Sequence, residues 1–542
     1  MNRLTQIFAL TSLVVVLLPA LTVWGQALPT DDEARQLQLE ALKVIGLVLL
    51  NPESSEADRV NAITVLVRNG DRTAMPLLTQ TLLNDPFASV RRIVAEGLGE
   101  YQAPESKFAL RQAALTAPID SIRWASGVSL VQIDPNEADI LDILLSERDT
   151  LASAALSLQE AAAVAEFPQA FHELAIAAFT DAFPDDRTYN TVERAAMLKS
   201  LAQLDSQASA NLMLDALTNE EEDGFVKGAA AFSLGQLGTL RAVPELIAVL
   251  NSNDDPLQVG AIGALGFLAD RDALAPLSDL ALQEDTAEIR ASAATALGAF
   301  GTTALDVLVQ ILNSDPSPAV RQAAMDSLTQ VGGEQAQQAV VDFATGDFLI
   351  TCDPQECSGL ALALLVALAE FGEGDLAIEL LQASIDALVD VLPFVFAFAE
   401  ADLINAAIAV AQVAPEVIDI LLDHENPFVQ AIALGVLPAL DDPSARRTFL
   451  SFVDPDENRL LRRMAFEGLA QMPQAGDAEL FAAELQNRDR RTRGAAFAAL
   501  AQIGDTSAVA PLMSALASDN LAIQLQAVEA SINFGNRVLE TN

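Results

Sequence analysis

The amino-acid sequence predicts an all-α protein, a right-handed α-solenoid of about fifteen helical hairpins. The first observation is a segment of the form (V/I)-R-x-x-A-x-x-x-L, which returns every 31 to 33 residues over two long parts of the chain. The second is a composition with 51% hydrophobic but only 5% aromatic residues, which suits closely packed helices. The segments close at Leu66, Leu98, Leu130, Leu158, Leu201, Leu234, Leu265, Leu297, Leu328, Leu368, Leu437, Leu469, Leu500 and Ile532.

Each repeat carries signals for two helices. The apolar residues of AEIRASAATALGAF (287–300) recur every three or four positions, which predicts a first helix with one buried face. A second helix is predicted to begin around Pro76, Pro244, Pro276 or Pro511. Acids before proline predict the start of the first helix at Asp85-Pro86, Asp255-Pro256 and Asp315-Pro316. Glycines are predicted to end it at Gly99, Gly238, Gly301 and Gly504.

The repetition has a physical reason. Ordering a lone hairpin costs about 1.5 kcal/mol per residue, or about 50 kcal/mol in total. At about 25 cal/mol per Å², offsetting that cost takes about 2,000 Å² of buried apolar surface. A single hairpin cannot bury so much, whereas a hairpin stacked between two others can.

This pattern resembles the HEAT-like repeats first named from phycobilisome lyases. The resemblance rests on the recurrent segment and on the motifs LGQLG (234–238) and IGD (503–505). It implies a stack of α-hairpins, and it brings two enzymatic alternatives, the bilin lyases and the iron-dependent deoxyhypusine hydroxylases. It covers nearly all of the chain beyond residue 27, being strong at 85–130, 223–330 and 426–520 and weak at 140–200 and 340–425.

The first residues predict a signal peptide, 1–27. Arg3 is the only charge before Asp31, and the apolar run at 7–24 is followed by Gly25 and Ala27 at the small-residue positions of a cleavage site. We therefore expect export to the periplasm or the medium, with a mature chain that begins near Leu28. The alternative is an uncleaved N-terminal helix that anchors the protein, because 18 apolar residues can just span a bilayer.

Three regions are predicted beyond the signal peptide. Residues 28–345 form a repeat array, 346–425 form irregular repeats, and 426–542 form a second array. The irregular region holds Cys352 and Cys357, the only cysteines. In an exported chain this pair predicts a local disulfide. A zinc site would need two further ligands, and no His or other Cys is nearby.

The formal net charge of −45 excludes two classes of partner. An acidic surface repels nucleic acid and anionic lipid headgroups, so binding to either is not expected. It also suits salty surroundings, in which counterions screen self-repulsion. A saline habitat is therefore a hypothesis.

A basic residue returns at the same position of most repeats. It could form an anion-binding stripe, or each residue could pair with an acid in a neighbouring turn and build an internal ladder. The excess of acids favours the ladder. The position is occupied by Arg59, Arg91, Arg123, Arg194, Lys227, Arg290, Arg321, Arg462 and Arg493.

A cluster of arginines between 446 and 493 is the candidate partner site. It follows a stretch from Gln322 to Ala445 that contains no Lys or Arg. Arginines beyond those of the ladder can bind carboxylates or phosphates bidentately, although nearby acids could also satisfy them. The apolar stretch at 387–399 is the next candidate. The surplus arginines are Arg446, Arg447, Arg463, Arg490 and Arg491.

Catalytic side chains are scarce. The only histidines, His172 and His424, are each followed by Glu, but two such pairs cannot supply a di-iron site, and we interpret both as ordinary surface residues. The acids of VDPDENRL (453–460) have calcium-loop spacing, but Arg459 replaces the required Gly, so capping of a helix explains them. The sequence thus predicts no catalytic residue, metal ligand or cofactor.

The predicted function is that of an exported, non-catalytic scaffold. It binds another protein along a groove formed by successive second helices. Two alternatives stay open: an enzyme of the HEAT-like lyase or metal-dependent hydroxylase type, and a passive structural component of the cell envelope.

Overall fold

The computed structural model describes residues 32–541, apart from 70–71, 160–168, 185–187, 206, 347–357, 389–391, 441, 475 and 504–505. The predicted signal peptide (1–27) and the predicted disulfide between Cys352 and Cys357 lie outside the described residues. Both stay predictions, as do the region boundaries at 345 and 425.

All regular secondary structure in the described residues is helical, which confirms the predicted all-α solenoid class. Thirty α-helices occur there, with short 3-10 turns between some of them. The first fifteen are α1 Asp32–Leu50, α2 Glu56–Asn69, α3 Met75–Asn84, α4 Ala88–Glu100, α5 Lys107–Thr116, α6 Asp120–Ile133, α7 Asp139–Leu145, α8 Arg148–Leu158, α9 Gln169–Ala182, α10 Thr191–Gln203, α11 Ala210–Thr218, α12 Gly224–Gln236, α13 Val243–Ala248, α14 Asp255–Leu268 and α15 Arg271–Gln283. The others are α16 Ala287–Gly298, α17 Leu305–Ser314, α18 Pro318–Val331, α19 Gly333–Ala344, α20 Ser358–Glu370, α21 Gly374–Leu388, α22 Leu392–Val413, α23 Val417–Leu422, α24 Pro427–Val436, α25 Ala445–Ser451, α26 Arg459–Gln471, α27 Ala478–Ala482, α28 Arg490–Ile503, α29 Val509–Leu516 and α30 Leu521–Thr541.

The recurrent segment marks the core. Every one of its closing Leu or Ile residues is at most 1% exposed, so the period read from the sequence is the period of burial. We call the helices that carry the segment the motif helices. They are α2, α4, α6, α8, α10, α12, α14, α16, α18, α20, α24, α26, α28 and α30.

The hairpins are built in the opposite order to the predicted one. The helix expected to be second packs on the motif helix that follows it, as α3 does on α4, α5 on α6 and α13 on α14. Three residues join α3 to α4, whereas six join α4 to α5, and the shorter connection brings two helices together as antiparallel neighbours. The motif helix is therefore the second helix of each hairpin.

Successive motif helices also pack directly on one another. Examples are α4 on α6, α10 on α12, α12 on α14 and α16 on α18. Each motif helix is thus buried between its hairpin partner and its neighbours in the stack, which explains the exclusion of its closing residue from solvent.

The described residues form two compact units. The first consists mainly of 32–154 and 469–541, and the second mainly of 172–468. In the first unit α1 packs against α29 and α30. Gln38 Nε2 donates a hydrogen bond to Asn536 Oδ1 at 2.9 Å. Gly535 allows the approach, since a Cβ there would lie 2.5 Å from the Gln38 side chain.

Helix α22 lies in the region predicted as irregular. Its backbone leaves the helical conformation at Ala399, with φ −128° and ψ 26°. No helix within the described ranges combines the length and the apolar character needed to cross a membrane.

Candidate functional site

The basic position of the motif helices lies between two turns. Arg59 donates to the carbonyl oxygens of Leu49 and Asn51 at 2.7 and 2.8 Å, and to Asp85 Oδ2 in the next turn at 2.7 Å. The side chains of this ion pair are only 5% and 2% exposed. The Asp85 carboxylate also accepts a hydrogen bond from the backbone N–H of Phe87 at 3.0 Å. One carboxylate therefore holds its own turn and joins it to the previous hairpin.

Three further positions repeat this pairing, which confirms the internal ladder there. The Arg123 guanidinium holds the pKa of Glu147 below its usual range, because hydrogen bonds from the cation stabilise the ionised carboxylate. The pairs are Arg123 with Glu147, Arg194 with Glu222 and Arg290 with Asp315.

Glutamine takes the ladder position in three repeats, which the sequence analysis missed. Gln258 Nε2 donates to the carbonyl oxygen of Leu250 at 2.7 Å. Gln430 and Gln524 donate in the same way to the carbonyls of Leu422 and Leu516, both at 3.1 Å. Each glutamine lies eight residues after the residue whose carbonyl it binds. This regular position in the repeat is the signal by which the sequence could have revealed the three glutamines.

Arg91 is a ladder residue with an incomplete set of partners. Its Nε is buried and has no hydrogen-bond partner. Arg59 pairs with Asp85, which lies 26 residues later in the chain. The residue 26 positions after Arg91 is Ala117, which has no carboxylate. The Nε of Arg59 is also buried without a partner, so the missing acid explains why Arg91 lacks the ion pair that Arg59 makes, and not the state of its Nε.

The predicted arginine cluster is distributed over both units. Arg446 and Arg447 lie at the start of α25 in the second unit, where Arg463 donates to Glu400 at 2.9 Å and is mostly buried. Arg490 and Arg491 begin α28 in the first unit, and both are exposed. As a partner site the cluster stays a prediction, and Arg463 already has an internal partner.

The two histidines lie on separate elements of the second unit. His172 lies on α9, and His424 lies in the turn before α24, where its Nδ1 accepts a hydrogen bond from the Asn426 N–H at 3.0 Å. Among the residues that the structure describes, no group of three or more His, Cys, Asp or Glu could hold a metal. In the former calcium-loop candidate, Asn458 caps the helix by accepting from the Leu460 N–H at 2.9 Å, whereas Asp454 accepts from the Asp456 N–H within the turn.

A groove of about 710 Å³ crosses five consecutive motif helices of the second unit, from α10 to α18. The rings of Phe232 and Phe267 meet edge to face in it, with centroids 5.4 Å apart and planes at 75°. Phe225, Val259 and Phe267 also line it and are exposed, Phe267 by 59%. This groove lies on the motif helices, whereas the sequence analysis expected a groove on the helices that begin near the prolines, which stays a prediction.

Glycines bring the backbones of α12 and α14 together beneath the groove. A Cβ on Gly228 would lie 2.3 Å from the carbonyl oxygen of Pro256, and a Cβ on Gly260 would lie 2.3 Å from that of Gly228. Side chains at these points would push the helices apart. The sequence carries this signal as glycines inside two adjacent motif helices: Gly228, Gly235, Gly260, Gly263 and Gly266.

One cation lies at the end of the groove. Lys199 is one of only four lysines in the chain, and its Nζ lies 5.9 Å from the centroid of the Phe225 ring. No ion pair found among the described residues includes it. It lies five residues after a ladder residue, and the same position on the next four motif helices holds Phe232, Gly263, Thr295 and Asp326.

Comparison with known proteins agrees with this architecture. A family model for HEAT repeats matches residues 42–131, 186–258, 220–298, 243–328 and 280–348, and a PBS lyase HEAT-like repeat matches 492–518. The chain belongs to the HEAT-repeat family. The HEAT-repeat protein is 24% identical over 162 residues to the uncharacterized phycocyanin operon protein Z of Pseudanabaena tenuis. The aligned region covers 28% of this chain and 78% of that protein.

Two solved structures resemble the HEAT-repeat protein in fold alone. Kap95p, from work on its binding to RanGDP, is 12% identical, with a TM-score of 0.43 and coverage of 96% of this chain and 82% of that one. Importin beta is 11% identical, with a TM-score of 0.39 and coverage of 93% and 83%.

Proposed function

We propose that this HEAT-repeat protein is an exported, non-catalytic scaffold that binds another protein along the motif helices of its second unit. The groove carries the proposal. Large apolar side chains clustered on an exposed surface mark interaction sites in soluble proteins, and Phe225, Val259 and Phe267 form such a cluster. Repeat arrays offer extended surfaces of this kind to partners.

The ladder arginines do not provide an anion-binding stripe for a partner. Arg59, Arg194 and Arg290 are buried in ion pairs with acids of this chain, so they are not available to a phosphate or carboxylate from outside. At these positions the cation therefore joins neighbouring hairpins.

Photo-crosslinking in the source cells tests the scaffold. A p-benzoylphenylalanine placed at position 267 should link to one defined protein. The matched control is position 108, because Phe108 is 81% exposed and belongs to the first unit. Equal patterns of linked proteins at both positions, or none at 267, would contradict the proposal and favour a passive envelope component.

Two further measurements separate the alternatives. The exported fraction should yield a mature N-terminus near Leu28, whereas an intact Met1 on a membrane-bound form would mean an uncleaved anchor. Metal analysis of the purified protein should find no stoichiometric iron, and finding it would favour the hydroxylase alternative.

A further inference from the structure

We infer that the groove binds an amphipathic helix of the partner that places a carboxylate at Lys199 and is neutral or basic elsewhere. The inference rests on the proposed function and deepens it, because it states the chemistry of the partner. It follows from three features of the second unit: the floor of the groove, the cation at one end, and the charge of the whole chain.

The floor of the groove favours a helix over an extended peptide. An extended segment needs backbone donors and acceptors from its host. The groove is lined by helices, whose backbone groups are already hydrogen-bonded within each helix. A helical segment satisfies its own backbone and can place apolar side chains against Phe232 and Phe267.

The length of the groove suits a helix of ordinary size. Neighbouring packed helices lie about 8–10 Å apart, so five motif helices extend over about 30–40 Å. A helix of about 20 residues spans about 30 Å. Such a segment would contact the groove from α10 to α18.

Lys199 determines where the carboxylate lies. Its ammonium group lies at one end of the apolar groove, near the Phe225 ring, and forms no ion pair found in the described part of the chain. A carboxylate placed there gains a charge-assisted hydrogen bond in partly desolvated surroundings. The C-terminal end of a helix carries a partial negative charge, so the cation also orients the bound helix with its C-terminal end at Lys199.

The rest of the bound helix must complement an acidic protein. A net charge of −45 repels a segment with many carboxylates before it reaches the groove. A single carboxylate on an otherwise neutral or basic helix avoids this repulsion, and basic residues on its outer face increase the rate of association.

Selection from a displayed library of 20-residue peptides tests the inference on the full-length protein. The library fixes apolar residues at helical spacing and randomises all other positions. Enriched peptides should be neutral or basic overall and should share one acid near the C-terminal end. Selection of nothing, or of peptides without that acid, overturns the inference.

Variants locate the bound peptide. Lys199→Glu should weaken binding of an enriched peptide about tenfold or more, because it opposes two like charges. Replacing the peptide's acid with Lys should restore binding to this variant. Phe267→Ala should weaken binding about fivefold or more. Lys43→Glu and Phe108→Ala are the matched controls, since both lie in the first unit, and they should change binding less than twofold.

Each outcome bears on one proposal. Circular dichroism checks that the variants fold, and Lys199→Met, which keeps the aliphatic stem, replaces Lys199→Glu if that variant does not. The inference is overturned if the enriched peptides bind the Lys199 and Phe267 variants as tightly as they bind the unaltered protein. If a protein is nevertheless crosslinked at position 267, the scaffold function stands and only the partner chemistry is wrong.

Discussion

Arginines at one residue position of four motif helices each join a hairpin of this protein to the next. Arg290 donates to the carbonyl oxygens of Glu284 and Asp285 and to both oxygens of Asp315, whereas Gln258 makes only the carbonyl bond of this set. A buried ion pair adds little net stability, because desolvation offsets much of the attraction, but loss of one partner leaves a buried charge uncompensated. Glutamine is therefore compatible with the position where no buried acid faces it.

A double-mutant cycle tests this reasoning. Arg290→Gln or Asp315→Asn alone should lower the free energy of unfolding by about 3–5 kcal/mol, since each leaves one buried charge. The double variant should lose less free energy of unfolding than the two single variants together. The reason is that Gln keeps a donor for the carbonyl and Asn keeps an acceptor for the Ser317 N–H. Urea unfolding measures all four proteins, and additive losses would contradict the prediction. Arg92→Gln, in an exposed pair, is the control and should cost about 0.5 kcal/mol or less.

Ala117→Asp should stabilise the first unit. Ala117 has φ −62° and ψ 139°, and Asp85 in the equivalent turn has −63° and 137°, so Asp fits the backbone without strain. The new carboxylate would face Arg91, which forms no ion pair among the described residues. We expect a gain of about 0.5–2 kcal/mol, read from thermal unfolding. Ala117→Asn keeps a capping oxygen without the charge, and equal stability of the two variants would show that Arg91 gains nothing.

The sequence predicts the ladder residues better than it predicts the roles of the acids. Asp85 and Asp315 were expected to cap helices with proline at the first position, yet α4 begins at Ala88 and α18 at Pro318. Both carboxylates accept a backbone N–H two residues later and also pair with an arginine 25 or 26 residues earlier. The spacing of repeats reveals the arginines, but the partner of each depends on how neighbouring hairpins stack.

At the scale of the helices, glycine has two roles that look alike in the sequence. Gly238 and Gly301 lie just beyond a helix with φ of +64° and +60°, which confirms them as ends. The same prediction for Gly99 is wrong, because it lies inside α4, where a Cβ would be 2.3 Å from the Gln132 side chain. A repeat pattern shows which face of a helix is buried, but not where two backbones touch. The position of this groove on the motif helices was missed for that reason.

Two glycines of α14 should respond in opposite ways to alanine. Gly260→Ala places a methyl group 2.3 Å from the backbone oxygen of Gly228, which cannot move without separating the helices, so we expect a loss of about 1–3 kcal/mol. Gly263→Ala meets only the Phe232 ring at 3.4 Å, an ordinary contact, and should gain about 0.5–1 kcal/mol from the better helix propensity. Urea unfolding of the two variants checks the signs. A gain in both would mean that α12 and α14 are not in backbone contact.

The largest separation in sequence within one unit is that between α1 and α30. Leu37 and Ile45 of α1 are fully buried, so their spacing predicts a buried face. What that face packs against could not be read from the sequence, because the contact joins residues 498 positions apart. Burial of α1 against α30 protects apolar surface that a repeat array otherwise covers with a polar capping unit.

The contact between Gln38 and Asn536 should be measurable in solution. Gln38→Ala and Asn536→Ala should each destabilise the first unit, and their effects should be non-additive by about 0.5–1.5 kcal/mol, the usual net value of one hydrogen bond. Urea unfolding of the two single variants and the double variant gives this interaction energy. Gln80→Ala, at an exposed position of α3 in the same unit, is the control. Its effect on the free energy of unfolding should add to that of either variant without an interaction energy. An interaction energy of zero for the first pair would mean that α1 and α30 do not meet.

The charge of the whole chain makes its stability depend on salt. With 75 acidic and 30 basic residues, the surface repels itself, and the screening length grows from about 3 Å at 1 M salt to about 30 Å at 0.01 M. The melting temperature, followed by the helical circular dichroism signal, should therefore fall on transfer from 1 M to 0.01 M NaCl. Sucrose at matched osmolality should not replace the salt, because it does not screen charge. The interaction energy of Arg290 with Asp315 should stay the same at both salt concentrations, since these side chains are only 10% and 7% exposed. An unchanged melting temperature would remove the physical basis for a saline habitat, whereas a change in the Arg290–Asp315 energy would mean that ions reach the ladder.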